Sequence, residues 1–239
     1  MTKFSNLPLR ERKQSKTRLA IFDAAKKLLS EKCLAKIKVE EICEQVDISR
    51  GTFFSYFTRK VDIIIYAIRL WSIDIGWQVS QTPKKDLGLP FINVLFNSMA
   101  QGMKQDPIFW TELMVLKVSE PETIHRLNQN EISMVTKADR LLRFPDKPGI
   151  EEIPEGTIVT YFRQNLNIAI EKKELPQDTN VEATLISLTS VLYGVPMMLA
   201  GYTNFETLPK EYNRQLNILW TGLRTISEQA NKNHVNPPA

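Results

Sequence analysis

The sequence predicts an all-α protein, with a small three-helix head at the N-terminus and a larger helical remainder. Three observations predict it. Apolar residues recur at spacings of three and four along most of the chain, and strand-like alternation is scarce. Only 9 glycines occur in 239 residues. Residues 39–60 hold two short helical patterns separated by a three-residue turn, the layout of a helix-turn-helix.

The elements follow in order. Over residues 14–32, Ile21, Ala24, Ala25, Leu28 and Leu29 share one helical face. The stretch before them adds Arg10, Arg12, Lys13 and Lys16, a basic arm expected to lack structure until it meets a partner. Val39, Ile42, Cys43 and Val46 fall at i, i+3, i+4 and i+7, one face of a second helix. Asp47 stands where that helix must stop, and aspartate tolerates the left-handed conformation better than most residues. Ile48 fills the corner, and Ser49 suits the N-cap of a third helix. Phe53 and Phe57, four apart, hold that helix to its neighbours. Arg50, Gly51 and Thr52 are left pointing outward from its start.

Beyond the head, a helix over 60–80 carries Val61, Ile64, Ile65, Ile68, Trp71 and Ile75 as its stripe. Thr82-Pro83 and Leu89-Pro90 interrupt the chain, and apolar helices fit 91–104 and 107–118. Pro121 opens a more polar helix reaching Phe144, and the proline-rich 145–154 reads as a loop. Helices follow over 155–173, 179–203 and 209–230, with Gly194-Val-Pro196 expected to break or bend the second of these. The final residues read as frayed. The chain divides on this reading into a head, 1–60, and a helical body, 61–239.

Charge points to a partner. Residues 1–70 carry a net charge of +7 and the remainder −3. A phosphate backbone attracts the first part and not the second. Arg50 suits a bidentate contact to guanine, Thr52 a base or phosphate, and Gly51 a close backbone approach to double-stranded DNA. Other classes find less support. The two histidines, His125 and His234, lie in no catalytic motif, and no phosphate loop, dinucleotide fingerprint or zinc-protease motif occurs. No catalytic residue, metal ligand or cofactor is therefore assigned, although an enzyme using dispersed carboxylates is one alternative. A helical scaffold with a degenerate helix-turn-helix is another. Cys33 and Cys43 make neither a disulfide framework nor a zinc set. With no signal peptide ahead of the basic arm, they set the expectation of a reducing cytoplasm. Residues 184–202 carry no charge for nineteen residues, close to the length of a membrane span. Thr184, Ser187, Thr189 and Ser190 dilute that stretch, so a helix packed among helices, not in a membrane, is expected.

These residues resemble the TetR family of transcriptional regulators. The likeness begins with Thr17-Arg18 and the apolar face through Leu29. It continues through Val39-Glu-Glu-Ile42-Cys, Ile48-Ser49-Arg50-Gly51-Thr52 and Tyr56-Phe57-Thr-Arg-Lys60. A weaker echo lies at Ala169-Ile-Glu-Lys-Lys-Glu-Leu175 and the long apolar helix after it. Four departures stand out. Cys33 replaces a helix-ending glycine, Lys38 a capping threonine, Asp47 a turn glycine and Phe54 a frequent tyrosine. Lys38 can meet phosphate but cannot accept the capping bond.

The resemblance implies a ligand-responsive repressor that binds a pseudo-palindromic operator as a homodimer. Thr17, Arg18, Lys38, Tyr56 and Lys60 would contact phosphates. Ser49 would cap the reading helix, Arg50 and Thr52 would read bases, and Gly51 and Phe54 would lie at the same surface. The last two helices would form the dimer contact. Tyr212, Leu216, Leu219, Leu223 and Ile226 step by four, three, four and three, a bundle seam. Leu188, Val191 and Leu192 would face them. Phe96, Met99, Met103, Trp110, Met114, Phe162, Tyr193 and Met197 are adaptable, mostly apolar side chains, so the expected effector is a mostly apolar small molecule.

Overall fold

The computed structural model describes residues 3–128, 135–199 and 205–235, and the described residues form helices and turns. Two compact units emerge, Met1–Ser80 with Asp106–Thr157, and Gln81–Gln105 with Ile158–Ala239.

The first unit opens with a 3₁₀ turn, Lys3–Asn6, and helix α1, Leu9–Leu29. The basic arm is therefore helical. Residues 9–16 are mostly good helix formers, and Arg12 closes the first turn onto the Pro8 carbonyl at 3.1 Å. Lys3 is also tied to Glu151 at 2.5 Å, a partner that local sequence does not reveal. Cys33 adopts φ −63°, ψ 155°, so no left-handed cap forms there.

Helices α2 (Val39–Val46) and α3 (Arg50–Tyr56) flank the turn. Asp47 sits at φ 56°, ψ 54°, and the Ile48 amide reaches back to the Cys43 carbonyl at 3.1 Å, ending α2. Helix α4 (Asp62–Gln81) is buried on more than its expected stripe, and Tyr66 meets both Phe22 and Phe57 edge-on at 5.4 and 5.6 Å. Burial pushes the Tyr66 hydroxyl well above the ordinary tyrosine range. Burial likewise raises the Cys43 thiol, with Glu40 adding to the effect, which suits a small core side chain better than a reactive one.

With α5 assigned to Leu89–Gln105, the rest of this unit comprises α6 (Pro107–Ser119), α7 (Pro121–Asn128), α8 (Lys137–Arg143) and a 3₁₀ turn at Ile150–Glu152. The single helix expected over 121–144 is thus two, its 129–134 portion lying outside the described residues. Thr136 and Asp139 explain the restart. Each side chain accepts the other's backbone amide, at 2.8 and 3.2 Å, a reciprocal capping box.

The second unit packs α5, α9 (Ile158–Glu171), α10 (Val181–Leu199) and α11 (Leu208–Val235) around a ring cluster. Phe96 stacks on Phe162 at 5.5 Å and meets Tyr212 edge-on at 4.9 Å. Gly88, at φ 90°, precedes α5. A Cβ there would lie 2.6 Å from Glu174 Oε2, the oxygen that accepts from the Leu89 amide. The expectation for 200–203 and for the chain's last four residues lies outside the described residues.

Pro196 does not break α10, which runs through it. A proline lacks the N–H that would bond to the carbonyl four residues earlier, and here that carbonyl belongs to Leu192. Tyr212 supplies the missing donor, its hydroxyl lying 2.6 Å from Leu192 O. Tyr212→Phe should therefore cost about 1–3 kcal/mol by leaving a buried acceptor unpaired. The penalty should shrink when Pro196→Ala restores the amide, a coupling that urea unfolding of the double-mutant cycle measures. Independent, additive effects would exclude this account.

Candidate nucleic-acid interface

The reading helix is built from its cap outward. Ser49 Oγ accepts the Thr52 amide at 3.1 Å and lies 3.0 Å from Thr52 Oγ1. Phe53 and Phe57 are fully buried, which fixes the rotation of α3 and turns its other face to solvent. On that face the Arg50 side chain is 65% exposed, Gly51 is exposed, and Phe54 is 42% exposed, edge-on to Phe53 at 5.2 Å. Arg50 does not hang loose, since its guanidinium lies 3.0 Å from Glu40 on α2. With both partners exposed, this contact orients more than it stabilises.

The expected phosphate contacts divide into two groups. Lys38 is exposed at the start of α2, with no side-chain cap bond, and its amide donates to Glu41 Oε2 at 2.7 Å. Glu41 also accepts from Lys32 at 2.5 Å, and that bond, then the one from Lys38, holds its carboxyl below the usual range. Thr17 is half-buried and donates its hydroxyl to the Lys13 carbonyl at 3.1 Å. Arg18 and Lys60, however, are engaged within the chain. Arg18 pairs with Asp139 at 2.6 Å and lies over the Tyr56 ring at 5.6 Å. Lys60 Nζ donates to the Ile37 carbonyl at 2.8 Å. A cation already paired in this way must exchange a partner to reach phosphate.

Glu40 and Asp139 were missed by sequence reasoning. Nothing local ties Glu40 to Arg50, ten residues on. Asp139 did leave a signal, because Thr136-x-x-Asp139 is a recognisable N-terminal cap.

The residues expected to contact a partner subunit separate by burial. Leu188, Leu192, Tyr212 and Leu216 are each 0% exposed inside their own unit, so they form its core and not a contact surface. Val191, Leu219 and Leu223 are half-buried and Ile226 is 67% exposed. The apolar surface of α10 and α11 is instead Ile186, Met197, Met198, Ile218 and Ile226. The three-four spacing falls in part on the face that α11 buries inside its own unit, through Tyr212 and Leu216. Helix α10 has the length and composition of a membrane span, and 28% of its 18-residue apolar window is buried, less enclosure than the expected packing among helices would give.

The expected effector residues also divide. Phe96, Met99, Met103 and Phe162 are 0% exposed in the second unit, where Tyr193 is half-buried. Trp110 and Met114 belong to the first unit, with Trp110 edge-on to Trp71 at 5.9 Å. Met197 is 55% exposed. Among the described residues, no group of three or more histidine, cysteine or acidic side chains could hold a metal ion.

Comparison with known proteins agrees with this geometry. Residues 21–67, which span the helix-turn-helix and the start of α4, match the bacterial regulatory proteins of the tetR family. Among solved structures, Salmonella enterica GusR is similar at 20% identity and a TM-score of 0.57, over 88% of this chain and 96% of that one. A TetR transcriptional regulator from Rhodococcus sp. RHA1 is similar at 14% identity and a TM-score of 0.46, over 84% and 95% of the two chains. A TetR family regulator from Chloroflexus aurantiacus J-10-FL gives 18% and 0.38, over 95% and 92%. No curated protein matches the chain. The exposed reading helix thus lies inside a segment, residues 21–67, that matches the DNA-binding part of the tetR family, and the described remainder is helical, as is the fold shared with Salmonella enterica GusR.

Proposed function

We propose that this regulator is a homodimeric, ligand-responsive repressor that sets α3 of each subunit into successive major grooves of a pseudo-palindromic operator. The observation that carries the reading is the split in α3. Its rear face, Phe53 and Phe57, is fully buried, while Arg50 and Gly51 at its start are exposed. Residues 1–60 are the DNA-reading part in this account, and 61–239 regulate and dimerise. Arg50 and Thr52 read bases, with Glu40 positioning Arg50. Ser49 caps the reading helix. Thr17, Lys38 and Tyr56 meet phosphates, and Arg18 and Lys60 join them only on leaving their internal partners. Phe54 adds an apolar contact of the kind a thymine methyl accepts.

One reading helix covers few base pairs, so two copies are needed. The exposed apolar side chains of α10 and α11 support a second copy as the cover for that surface. The same surface accounts for the span-like composition of α10 without a membrane, and cytoplasmic residence fits this role. The buried methionines and phenylalanines of the second unit support a mostly apolar effector. Linkage then requires the effector to weaken DNA binding by the factor with which DNA weakens effector binding.

Selection from random DNA should return a palindrome. On that site Arg50→Ala should cost about 1–3 kcal/mol and relax specificity at one base position per half-site. Lys38→Ala should weaken all sequences alike and flatten the salt dependence by about one ion. Identical behaviour of the two variants on every sequence would overturn these roles.

A further inference from the structure

Residues 9–20 of α1 precede the segment that matches the tetR family. They are strongly basic, holding Arg10, Arg12, Lys13, Lys16 and Arg18 against the one acid Glu11. Burial sets the rotation of this stretch. Ser15 and Leu19 are 1% and 6% exposed, so the opposite face looks to solvent. That face carries Arg10, Lys13 and Thr17 at i, i+3 and i+7, a strip about 10 Å long. Arg10 and Lys13 are exposed and make no ion pair among the described residues. The backbone around them is pinned. Arg12 Nε donates to the Leu7 carbonyl at 3.0 Å, the Leu7 amide to the Phe4 carbonyl at 3.2 Å, and Lys3 is held by Glu151. Two unpaired cations on an ordered helix can meet a row of anions with little further ordering.

We infer that Arg10 and Lys13 grip the DNA backbone, carrying the phosphate contact of Thr17 about two turns further along α1. The inference rests on the operator-binding reading above and adds a surface to it. A duplex is the occupant that fits. Its strands offer a row of single negative charges, which a row of cations matches, and Thr17 makes the strip continuous with the contact already proposed. A lipid surface fits less well. Among the large apolar side chains of α1, Leu9 alone is exposed, at 58%, and one leucine offers too little apolar area to enter a bilayer. Contacts to phosphate carry no base information, so Arg10 and Lys13 add affinity for every sequence and leave selectivity to α3.

Arg10→Gln with Lys13→Gln tests the inference in the full chain, verified as folded by circular dichroism. Fluorescence anisotropy reads binding to the selected palindrome and to an unrelated duplex of equal length. The double variant should bind both about tenfold or more weakly at about 0.1 M salt, with the selectivity between them kept. In a dimer, which places four such cations, the slope of log affinity against log salt should flatten by about 3–4. Arg10→Lys with Lys13→Arg should keep the wild-type slope. Lys84→Gln with Lys85→Gln removes the same charge from exposed positions of the second unit and should change little. The inference is overturned if the first double variant keeps wild-type affinity and slope, or if the second-unit variant loses as much. It is also overturned if the first double variant loses binding to phosphatidylglycerol vesicles while DNA binding stays intact. Failure of the operator reading looks different, since wild type and Arg50→Ala would then bind each duplex alike, whatever Arg10 and Lys13 do.

Discussion

Asp139→Ala is expected to lower folding stability by about 3 kcal/mol or more, because it strands a guanidinium. Asp139 is 0% exposed and Arg18 is 17% exposed, so their contact at 2.6 Å is shielded from water. The same Oδ2 accepts the Thr136 amide at 2.8 Å, so the substitution also removes half of the α8 cap. Urea unfolding at fixed protein concentration measures the loss, the concentration being held because the proposed dimer would make stability depend on it. The double variant Arg18→Met with Asp139→Leu should recover most of the deficit, since neither charge is then left buried. A single-variant loss below about 1 kcal/mol would show that Arg18 relaxes to solvent and that α8 does not depend on the pair.

Gly51→Ala is expected to separate folding from DNA binding. In the free protein a Cβ at this position would meet only Ser49 Oγ, at an ordinary 3.7 Å. Nothing within the chain requires glycine there, and alanine favours a helix by about 0.5–1 kcal/mol. Thermal unfolding should therefore occur at the same temperature or slightly higher. Operator affinity should fall about tenfold or more, because a methyl group would stand between the helix start and the duplex at closest approach. Undiminished binding by Gly51→Ala would move the DNA contact elsewhere on α3. A destabilised variant would mean that glycine serves the fold instead.

These two positions illustrate how legible the chain was. Gly51 stood out from sequence alone because its neighbours are local: Ser49 as cap, Arg50 and Thr52 beside it, Phe53 behind. The turn at Asp47 was legible for the same reason, since a left-handed residue between two short periodic patterns needs no distant partner. Asp139 and Glu40 were not legible as partners. Their contacts with Arg18 and Arg50 join residues far apart along the chain, or across a turn, and no spacing rule encodes such pairs. The basic arm shows the same limit, being ordered as α1 with Lys3 held by Glu151.

The α10–α11 seam marks the boundary between the two kinds of information. A three-four repeat states that one face of a helix is apolar, and it does so whether that face meets the same chain or another. Burial of Tyr212 and Leu216, against exposure of Ile218 and Ile226, resolved the ambiguity. Pro196 is similar, since its helix survives because the Tyr212 hydroxyl from α11 reaches Leu192. By itself the sequence determined the helical class, the capped turn and the outward presentation of Arg50, all products of spacing, capping and backbone sterics over a few residues. Only the tertiary structure decided which cations stay available and which apolar face stays uncovered, because both depend on partners brought together by folding.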